Sequence, residues 1–254
     1  MTDCTLIIRA EPQASTLARE LDQLGVHCCA TPLMVIEKGK DLHRLGERLT
    51  ALTTTDKLIA TSRYAIEWAQ GELNNHQRQW PDCEYYAVGP ATASDWQLPQ
   101  VTPIHLPEQH SSEGLLALPS LQASAVAGRR ILLLRGNGGR ELLPETLVER
   151  GARLEILEAY RRVYPPLDGA VLVSQWQQLR VNSVIISSGE LLQRLCELAP
   201  LNQHHWLFSL RVIVTSSRIA RLARDAGFKE LQIASDASAK ALADVIGQST
   251  KDQI

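Results

Sequence analysis

The sequence is poor in the features that would mark several classes of protein. Phe and Met occur only twice each, and aromatic residues make up 5% of the 254 residues. The cysteines, Cys4, Cys28, Cys29, Cys83 and Cys196, are odd in number and show no Cys-x-x-Cys spacing, so neither a disulfide framework nor a structural zinc site is indicated. No apolar run approaches the roughly 20 residues that cross a membrane.

An excess of charge of either sign is also lacking. Twenty-six Lys and Arg residues face 28 Asp and Glu residues, which gives a formal net charge of -2. A nucleic-acid partner or a membrane-surface partner is therefore not indicated, and an anion site would have to be built locally. The seven histidines show no His-x-x-x-His pair, so no metal is predicted either.

The first residues lack the marks of a targeting segment. Met1 to Leu6 contain neither a charged leader nor an apolar stretch of signal-peptide length. Together with the cysteine usage, this predicts a cytoplasmic protein in a reducing compartment.

An internal repeat with a constant offset of 126 residues runs through the chain. The run from Leu6 to Arg9 matches that from Leu132 to Arg135, and Gly25 corresponds to Gly151. The same offset relates three further pairs of segments, which are 57–62 with 183–188, 86–88 with 212–214, and Ser112 and Leu116 with Ser238 and Leu242. A register kept without gaps indicates two homologous halves.

Each half alternates short apolar runs with amphipathic segments, the pattern of buried parallel strands joined by helices. Residues 5–9 read as a strand, and helices are predicted at 14–24 and 141–150, ending at glycines suited to the left-handed position that closes a helix. Further helices are predicted at 63–71, 91–97, 112–118, 189–198, 216–226 and 237–247. Several begin with Ser or Thr directly after a strand, where helix N-termini can bind anions.

The glycine-rich segment Arg135 to Arg140 invites a nucleotide-binding reading. Its spacing is neither Gly-x-Gly-x-x-Gly nor the phosphate-binding loop pattern, and no Lys follows it. A glycine-rich turn from strand to helix fits equally. Catalysis by a Ser-His-Asp triad is not indicated, because the chain has no Gly-x-Ser-x-Gly segment.

An ordered set of motifs carries a family resemblance. The segment Arg135-Gly136-Asn137-Gly138-Gly139-Arg140-Glu141, followed by Gly151-Ala152 and Glu158-Ala159-Tyr160-Arg161-Arg162, is similar to the most recognisable stretch of uroporphyrinogen-III synthases. Thr61-Ser62, Val88 to Ala93, Ser112 to Leu116 and Ser187 to Gly189 resemble that family in order and spacing. Together these motifs cover nearly the whole chain.

The resemblance implies two similar α/β domains with parallel sheets of the flavodoxin-like type. One domain would comprise residues 1–36 plus 164–254, and the other residues 37–163. The chain would cross between them twice, so that a two-stranded linker acts as a hinge and the active-site cleft lies between the domains.

The resemblance also implies a reaction. Hydroxymethylbilane, a linear tetrapyrrole with acetate and propionate side chains, would lose its terminal hydroxyl as water and close into uroporphyrinogen III with its last ring inverted. The enzyme would be a monomeric lyase of tetrapyrrole (haem or sirohaem) biosynthesis that needs no metal and no organic cofactor.

Candidate site residues follow from matching the family motifs. Tyr160 is the candidate proton donor for the departing hydroxyl, although an amphipathic tyrosine at a strand end can also be purely structural. The candidate substrate-binding residues are Ser62, Thr92, Ser112, Arg135, Gly139, Ser187, Ser188 and Ser216. Ser and Thr after a strand commonly cap helices, and capping is compatible with binding a carboxylate.

A rival reading remains open. Duplicated α/β halves joined by a hinge also suit a non-enzymatic binding or sensor protein that closes on a small anionic ligand. An assay of the isomers formed from hydroxymethylbilane separates the two readings.

Overall fold

The structure is a computed structural model that describes residues 3–96, 98 and 103–248. Contacts between Cα atoms divide the chain into two compact units. Unit 1 comprises Met1–Ile36 and Val163–Ile254, and unit 2 comprises Glu37–Arg162. Among the described helices, none is both long enough and apolar enough to cross a membrane.

Unit 1 is built on a five-stranded sheet in the order β11-β10-β9-β1-β2, and all neighbouring strands run parallel. Its strands are β1 (Cys4–Ile7), β2 (Cys28–Ala30), β9 (Val181–Ile185), β10 (Arg211–Val214) and β11 (Leu231–Ile233). Its helices are α1 (Gln13–Gln23), α8 (Gly169–Gln178), α9 (Gly189–Leu198), α10 (His204–Ser209), α11 (Ser217–Ala226) and α12 (Ala239–Gln248).

Helices cover both faces of the unit 1 sheet, which explains why its central strands read as continuous apolar runs. On β1, Leu6 packs into a cluster with residues of α8, α9 and α11, whereas Ile7 packs with residues of α1 and α12. Successive side chains of a strand point to opposite faces, so a sheet covered on both faces needs an apolar residue at every position.

Unit 2 carries the second sheet, whose strand order is β3-β8-β7-β4-β5-β6 and whose strands from β8 to β6 run parallel. The strands are β3 (Val35–Lys38), β4 (Lys57–Ala60), β5 (Glu84–Ala87), β6 (Ile104–His105), β7 (Arg130–Gly136) and β8 (Arg153–Val163). The helices are α2 (Leu45–Thr50), α3 (Arg63–Asn75), α4 (Pro90–Ala93), α5 (Ser112–Ala117), α6 (Ala123–Val126) and α7 (Leu142–Glu149).

The two sheets have the same construction, as the repeat predicts. Adding 126 to the positions of β1 and β2 gives those of β7 and β8, and subtracting 126 from those of β9, β10 and β11 gives those of β4, β5 and β6. The corresponding strands occupy corresponding places in the two sheets. If the strands of unit 1 are numbered 1 to 5 along the chain and each strand of unit 2 takes the number of its counterpart, both sheets have the order 2-1-3-4-5, which is the flavodoxin-like order; β3 is an additional strand beside β8. The predicted fold class of two similar parallel α/β sheets is therefore confirmed.

The two repeat-related glycines close helices in the way the sequence predicts. Gly25 and Gly151 follow α1 and α7 with φ values of 79° and 84°. The N–H of the residue after each glycine donates a hydrogen bond to a carbonyl in the last turn of the helix. Val26 donates to the Leu21 carbonyl (2.9 Å), and Ala152 donates to the Leu147 carbonyl (3.1 Å). This is the hydrogen-bond pattern of a Schellman motif, whose left-handed residue is usually glycine.

Most predicted helices lie within two residues of their observed bounds, and two differ more. The helix predicted at 63–71 extends to Asn75. The helix predicted at 91–97 is the single turn Pro90–Ala93, and residue 97 lies outside the described residues. The chain leaves that helix where Trp96 packs against Trp80 and Tyr85, with ring centroids 5.6 and 5.1 Å away.

Asp56 ties together the amino ends of the three central strands of unit 2. Its carboxylate accepts hydrogen bonds from the Thr53 N–H (2.8 Å), the Thr53 hydroxyl (2.9 Å) and the Arg130 N–H (3.1 Å). Its carbonyl accepts from the Glu84 N–H at 3.1 Å. Burial opposes ionisation of this carboxyl, but the bonds from Thr53 and Arg130 outweigh burial, and the pKa of Asp56 is lowered.

We expect Asp56→Asn to lower the free energy of unfolding at neutral pH by about 2 kcal/mol, because an amide cannot accept all three bonds. A carboxyl whose pKa is lowered in the folded state stabilises the protein fully when the pH is above its ordinary pKa of about 3.9. This stabilisation is lost as the pH falls through the pKa of the folded state. Denaturant titrations from pH 7 to pH 3 should therefore show the parent and the variant converging in acid. Asp82→Asn, at an exposed aspartate, is the matched control. A difference in unfolding free energy between the parent and Asp56→Asn that stays the same at every pH would contradict this account.

Candidate functional site

A cavity of about 260 Å³ opens at the carboxyl ends of the central strands of unit 2. It lies where β4 and β7 run side by side, and the chain leaves these two strands in opposite directions, from β4 through α3 to β5 and from β7 through α7 to β8. Ligands of open α/β sheets bind at such a reversal of strand order. The lining consists of Thr61, Ser62, Ser112, Leu133, Arg135, Gly136, Gly138, Gly139, Arg140, Leu143, Pro144, Tyr160 and Arg162.

Five residues predicted from the sequence meet in this cavity. Tyr160, Ser62, Ser112, Arg135 and Gly139 all line it. They come from β7, β8, α5 and the segments that follow β4 and β7. The sheet thus brings together residues that are up to 98 positions apart along the chain.

The other predicted residues have different surroundings. Thr92 lies inside α4, whose capping residue is Gly89, and it is 6% exposed and absent from the lining of this cavity. Ser187, Ser188 and Ser216 belong to unit 1, where they follow β9 and β10.

Hydroxyl capping occurs at three of the six predicted Ser and Thr positions. Ser62 accepts from the Tyr64 N–H (3.2 Å), Ser188 from the Leu191 N–H (3.2 Å) and Ser216 from the Ile219 N–H (3.4 Å). At α5 the cap is Ser111, which accepts from the Gly114 N–H at 3.1 Å, and Ser112 is the first helical residue. Thr92 and Ser187 do not occupy the capping position of their helices.

The ring of Tyr160 fills the floor of the cavity. It is 1% exposed, and its centroid lies 5.5 Å from that of Tyr64. A Cβ at Gly136 would stand 2.5 Å from the ring carbon that bears the hydroxyl, so only glycine allows this approach. Gly136 was not predicted from the sequence as a site residue. A glycine as the last residue of a buried strand is the signal that could have indicated this close approach.

Asn137 holds the end of β8 in place. The regular register between β7 and β8 shifts between Arg135 and Gly136. Beyond that shift the Asn137 amide donates to the Arg162 carbonyl (3.1 Å) and accepts from the Arg162 N–H (2.7 Å), while its own N–H donates to the Tyr160 carbonyl (3.2 Å). The Asn137 side chain thus takes the place of main-chain hydrogen bonds between the two strands. No local pattern in the sequence reveals that its partner, Arg162, lies 25 residues further along the chain.

Arginines give the cavity its charge. Arg135 is 8% exposed, and its guanidinium donates to the Gly138 carbonyl and to Glu141 at 3.1 Å. Arg140 forms a two-pronged ion pair with Glu113, which lowers the pKa of that carboxyl to about 2. The described lining residues include three arginines and no carboxylate, so the cavity suits an anionic ligand.

In the described part of the chain, no group of three or more His, Cys, Asp and Glu side chains could hold a metal ion. The cavity instead offers donors of three kinds, namely guanidinium groups, hydroxyls and a phenol. Such a set can bind carboxylates and transfer one proton.

Comparison with known proteins gives a consistent result. A family model described as uroporphyrinogen-III synthase HemD matches residues 15–244. The uroporphyrinogen-III synthases of Salmonella typhimurium and of Escherichia coli are each 39% identical over 240 residues, which is 93% of this chain and 97% of the relative.

Solved structures show the same fold. The crystal structure of a mutant uroporphyrinogen III synthase from Thermus thermophilus superposes with a TM-score of 0.68 at 16% identity and covers 98% of this chain and 100% of that one. The enzyme from Helicobacter pylori gives a TM-score of 0.55 at 14% identity, with the same coverage.

We expect Gly136→Ala to lower the free energy of unfolding by about 1–3 kcal/mol, because the added methyl group overlaps the Tyr160 ring and the ring must move. Gly71→Ala is the matched control. Its methyl group would enter open space within α3, so that variant should be neutral or more stable by up to about 1 kcal/mol. Equal stabilities of Gly136→Ala and the parent in denaturant titrations would contradict the close approach.

Proposed function

The chain belongs to the uroporphyrinogen-III synthase family and is a lyase that cyclises hydroxymethylbilane in tetrapyrrole biosynthesis, and we propose that Tyr160 is its proton donor. The reading as a non-enzymatic sensor is not favoured, since both the family model and the relatives name a synthase. What remains to be assigned is the part that each residue plays.

The position of Tyr160 is the observation that carries the proposal. Its phenol lies in a cavity lined by three arginines, at the end of a strand where ligands of this fold class bind. Loss of the terminal hydroxyl of hydroxymethylbilane needs a proton on the departing oxygen, and a phenol in hydrogen-bond reach can supply it. The C–O bond then breaks with its electron pair on oxygen, which leaves water, a phenolate and a cationic azafulvene at the end of the substrate.

Binding of the polyanionic substrate is assigned to donors on both units. In unit 2 we assign this role to Ser62, Ser112, Arg135 and Gly139, which line the cavity with Tyr160. In unit 1 we assign it to Ser187, Ser188 and Ser216, which stand at the N-termini of α9 and α11, where free N–H groups attract anions. Thr92 is proposed on its motif alone, since it is buried within α4.

Three broader assignments complete the proposal. We propose two domains, as the sequence predicts, of residues 1–36 plus 164–254 and residues 37–163; the two compact units support this division and differ from it only in placing Val163 in unit 1. We propose a monomer, since one chain supplies every residue assigned above. We propose a cytoplasmic enzyme, which the five free thiols support. Limited proteolysis, light scattering and cell fractionation test these assignments in turn.

For the unit 1 donors, we expect Ser187→Ala to raise KM for hydroxymethylbilane by about tenfold, the usual worth of a hydrogen bond to a charged group. The thermal midpoint should stay unchanged, because Ser187 does not cap α9. Ser188→Ala should raise KM and also lower the stability, by about 1 kcal/mol for the lost cap. An unchanged KM in both variants would remove these serines from the substrate site.

For the proton donor, we expect Tyr160→Phe to lower kcat by roughly 10 to 100-fold. This is at or below the lower end of the usual range of about 10² to 10⁴-fold for general acid catalysis, because the substrate also ionises unaided. Spontaneous closure gives the type I isomer, so the type I fraction should rise as the rate falls. The measurement is chromatography of the oxidised porphyrin products.

Tyr164→Phe is the matched control, a tyrosine four residues on that the proposal leaves outside the site, and it should keep the rate and isomer purity of the parent. The thermal midpoint of Tyr160→Phe must stay near that of the parent for the loss to count as catalytic. If Tyr160→Phe keeps the full rate and isomer purity of the parent, Tyr160 is a packing residue and not the proton donor.

A further inference from the structure

Arg162 stands beside the proposed proton donor and has so far no role. It is the next-to-last residue of β8, two positions after Tyr160, and it lines the same cavity. Its main chain is held on both sides by the Asn137 amide, at 2.7 and 3.1 Å. The base of the Arg162 side chain is therefore fixed relative to the Tyr160 ring.

The guanidinium of Arg162 reaches the phenol. Its Nη2 donates to the Tyr160 hydroxyl oxygen at 3.3 Å, and its Cζ lies 5.9 Å from the centre of the ring. A guanidinium has donors and no acceptor, so the tyrosine oxygen must be the acceptor of this bond. The single proton of the phenol is then directed to some other acceptor.

The other charged groups that line the cavity are engaged with carboxylates of the protein. Arg135 donates to Glu141 and Arg140 to Glu113. The Tyr160 ring packs against the uncharged Tyr64 with an angle of 49° between the ring planes. The Arg162 guanidinium is in hydrogen-bond contact with the Tyr160 hydroxyl.

We propose that Arg162 is a positioning residue for the cyclisation. Its guanidinium orients the Tyr160 hydroxyl so that the proton points to the departing oxygen of the substrate. When that proton moves, the C–O bond breaks, water leaves, and the phenolate that remains receives a charge-assisted hydrogen bond from Arg162. The proposal rests on the assignment of Tyr160 as proton donor.

A double-mutant cycle tests this role. We expect Arg162→Met to lower kcat by about tenfold with KM close to that of the parent, because a donor to the developing oxyanion is lost. In the Tyr160→Phe background the same substitution should have no further effect on kcat, since there is no phenolate left to stabilise. The type I isomer fraction should rise in Arg162→Met and should not rise further in the double variant.

Arg161→Met is the matched control. This neighbour is exposed and pairs with Glu158 at 2.9 Å, so its loss should leave kcat, KM and isomer purity unchanged. Thermal midpoints are measured for every variant. If Arg162→Met folds poorly, the cycle is repeated with Arg162→Gln, which keeps most of the length of the side chain and removes its charge.

The outcomes separate the two proposals. Additive losses, or a loss that raises KM alone, would show that Arg162 binds the substrate directly and would overturn its action through Tyr160. A fully active Arg162→Met beside an impaired Tyr160→Phe would overturn the role of Arg162 and leave the donor assignment intact. A fully active Tyr160→Phe would overturn the donor assignment itself, and the role of Arg162 with it.

Discussion

The contact between Gly136 and the ring of Tyr160 is the constraint on which the candidate site depends. A ring can lie over the end of a neighbouring strand only if that strand presents no side chain there, and a Cβ at this position would stand 2.5 Å from the ring. The same approach disturbs the ladder between β7 and β8, and the register shifts just before Gly136. Asn137 compensates with hydrogen bonds to both main-chain groups of Arg162. The floor of the cavity and the side chains around it therefore form one packed arrangement.

The duplicated fold explains why the donors stand at strand ends. Each sheet is wound outward in both directions from a central pair of parallel strands, so the chain leaves those strands toward helices on opposite faces. In unit 2 this construction opens the cavity between the ends of β4 and β7. In unit 1 the capping residue Ser188 follows β9, the counterpart of β4, and the capping residue Ser216 follows β10, the counterpart of β5. A fold in which helices follow most of the strands supplies anion donors at their N-termini without a basic surface.

Local pairing of charge reconciles a polyanionic substrate with a net charge of -2. Two carboxylates are paired with arginines that line the cavity, Glu113 with Arg140 and Glu141 with Arg135. These pairs fix the glycine-rich segment after β7 while the lining itself presents donors. The balance that matters for binding is therefore set within a few ångströms of the cavity and not by the composition of the chain.

The sequence by itself determined the two-fold repeat, the alternation of strands and helices, and the glycine closures at Gly25 and Gly151. Each of these is a local or periodic property that burial on both faces of a sheet imposes on consecutive residues. The family motifs also pointed to Tyr160 and Arg135. Only the tertiary structure decided that Ser111, and not Ser112, caps α5, that Thr92 is buried, and that Gly136, Asn137 and Arg162 shape the surroundings of Tyr160. The contacts of Gly136 and Asn137 with Tyr160 and Arg162 connect β7 and the residue after it to β8. They lie at a register shift of about one residue between these strands, which leaves no periodic trace in the chain.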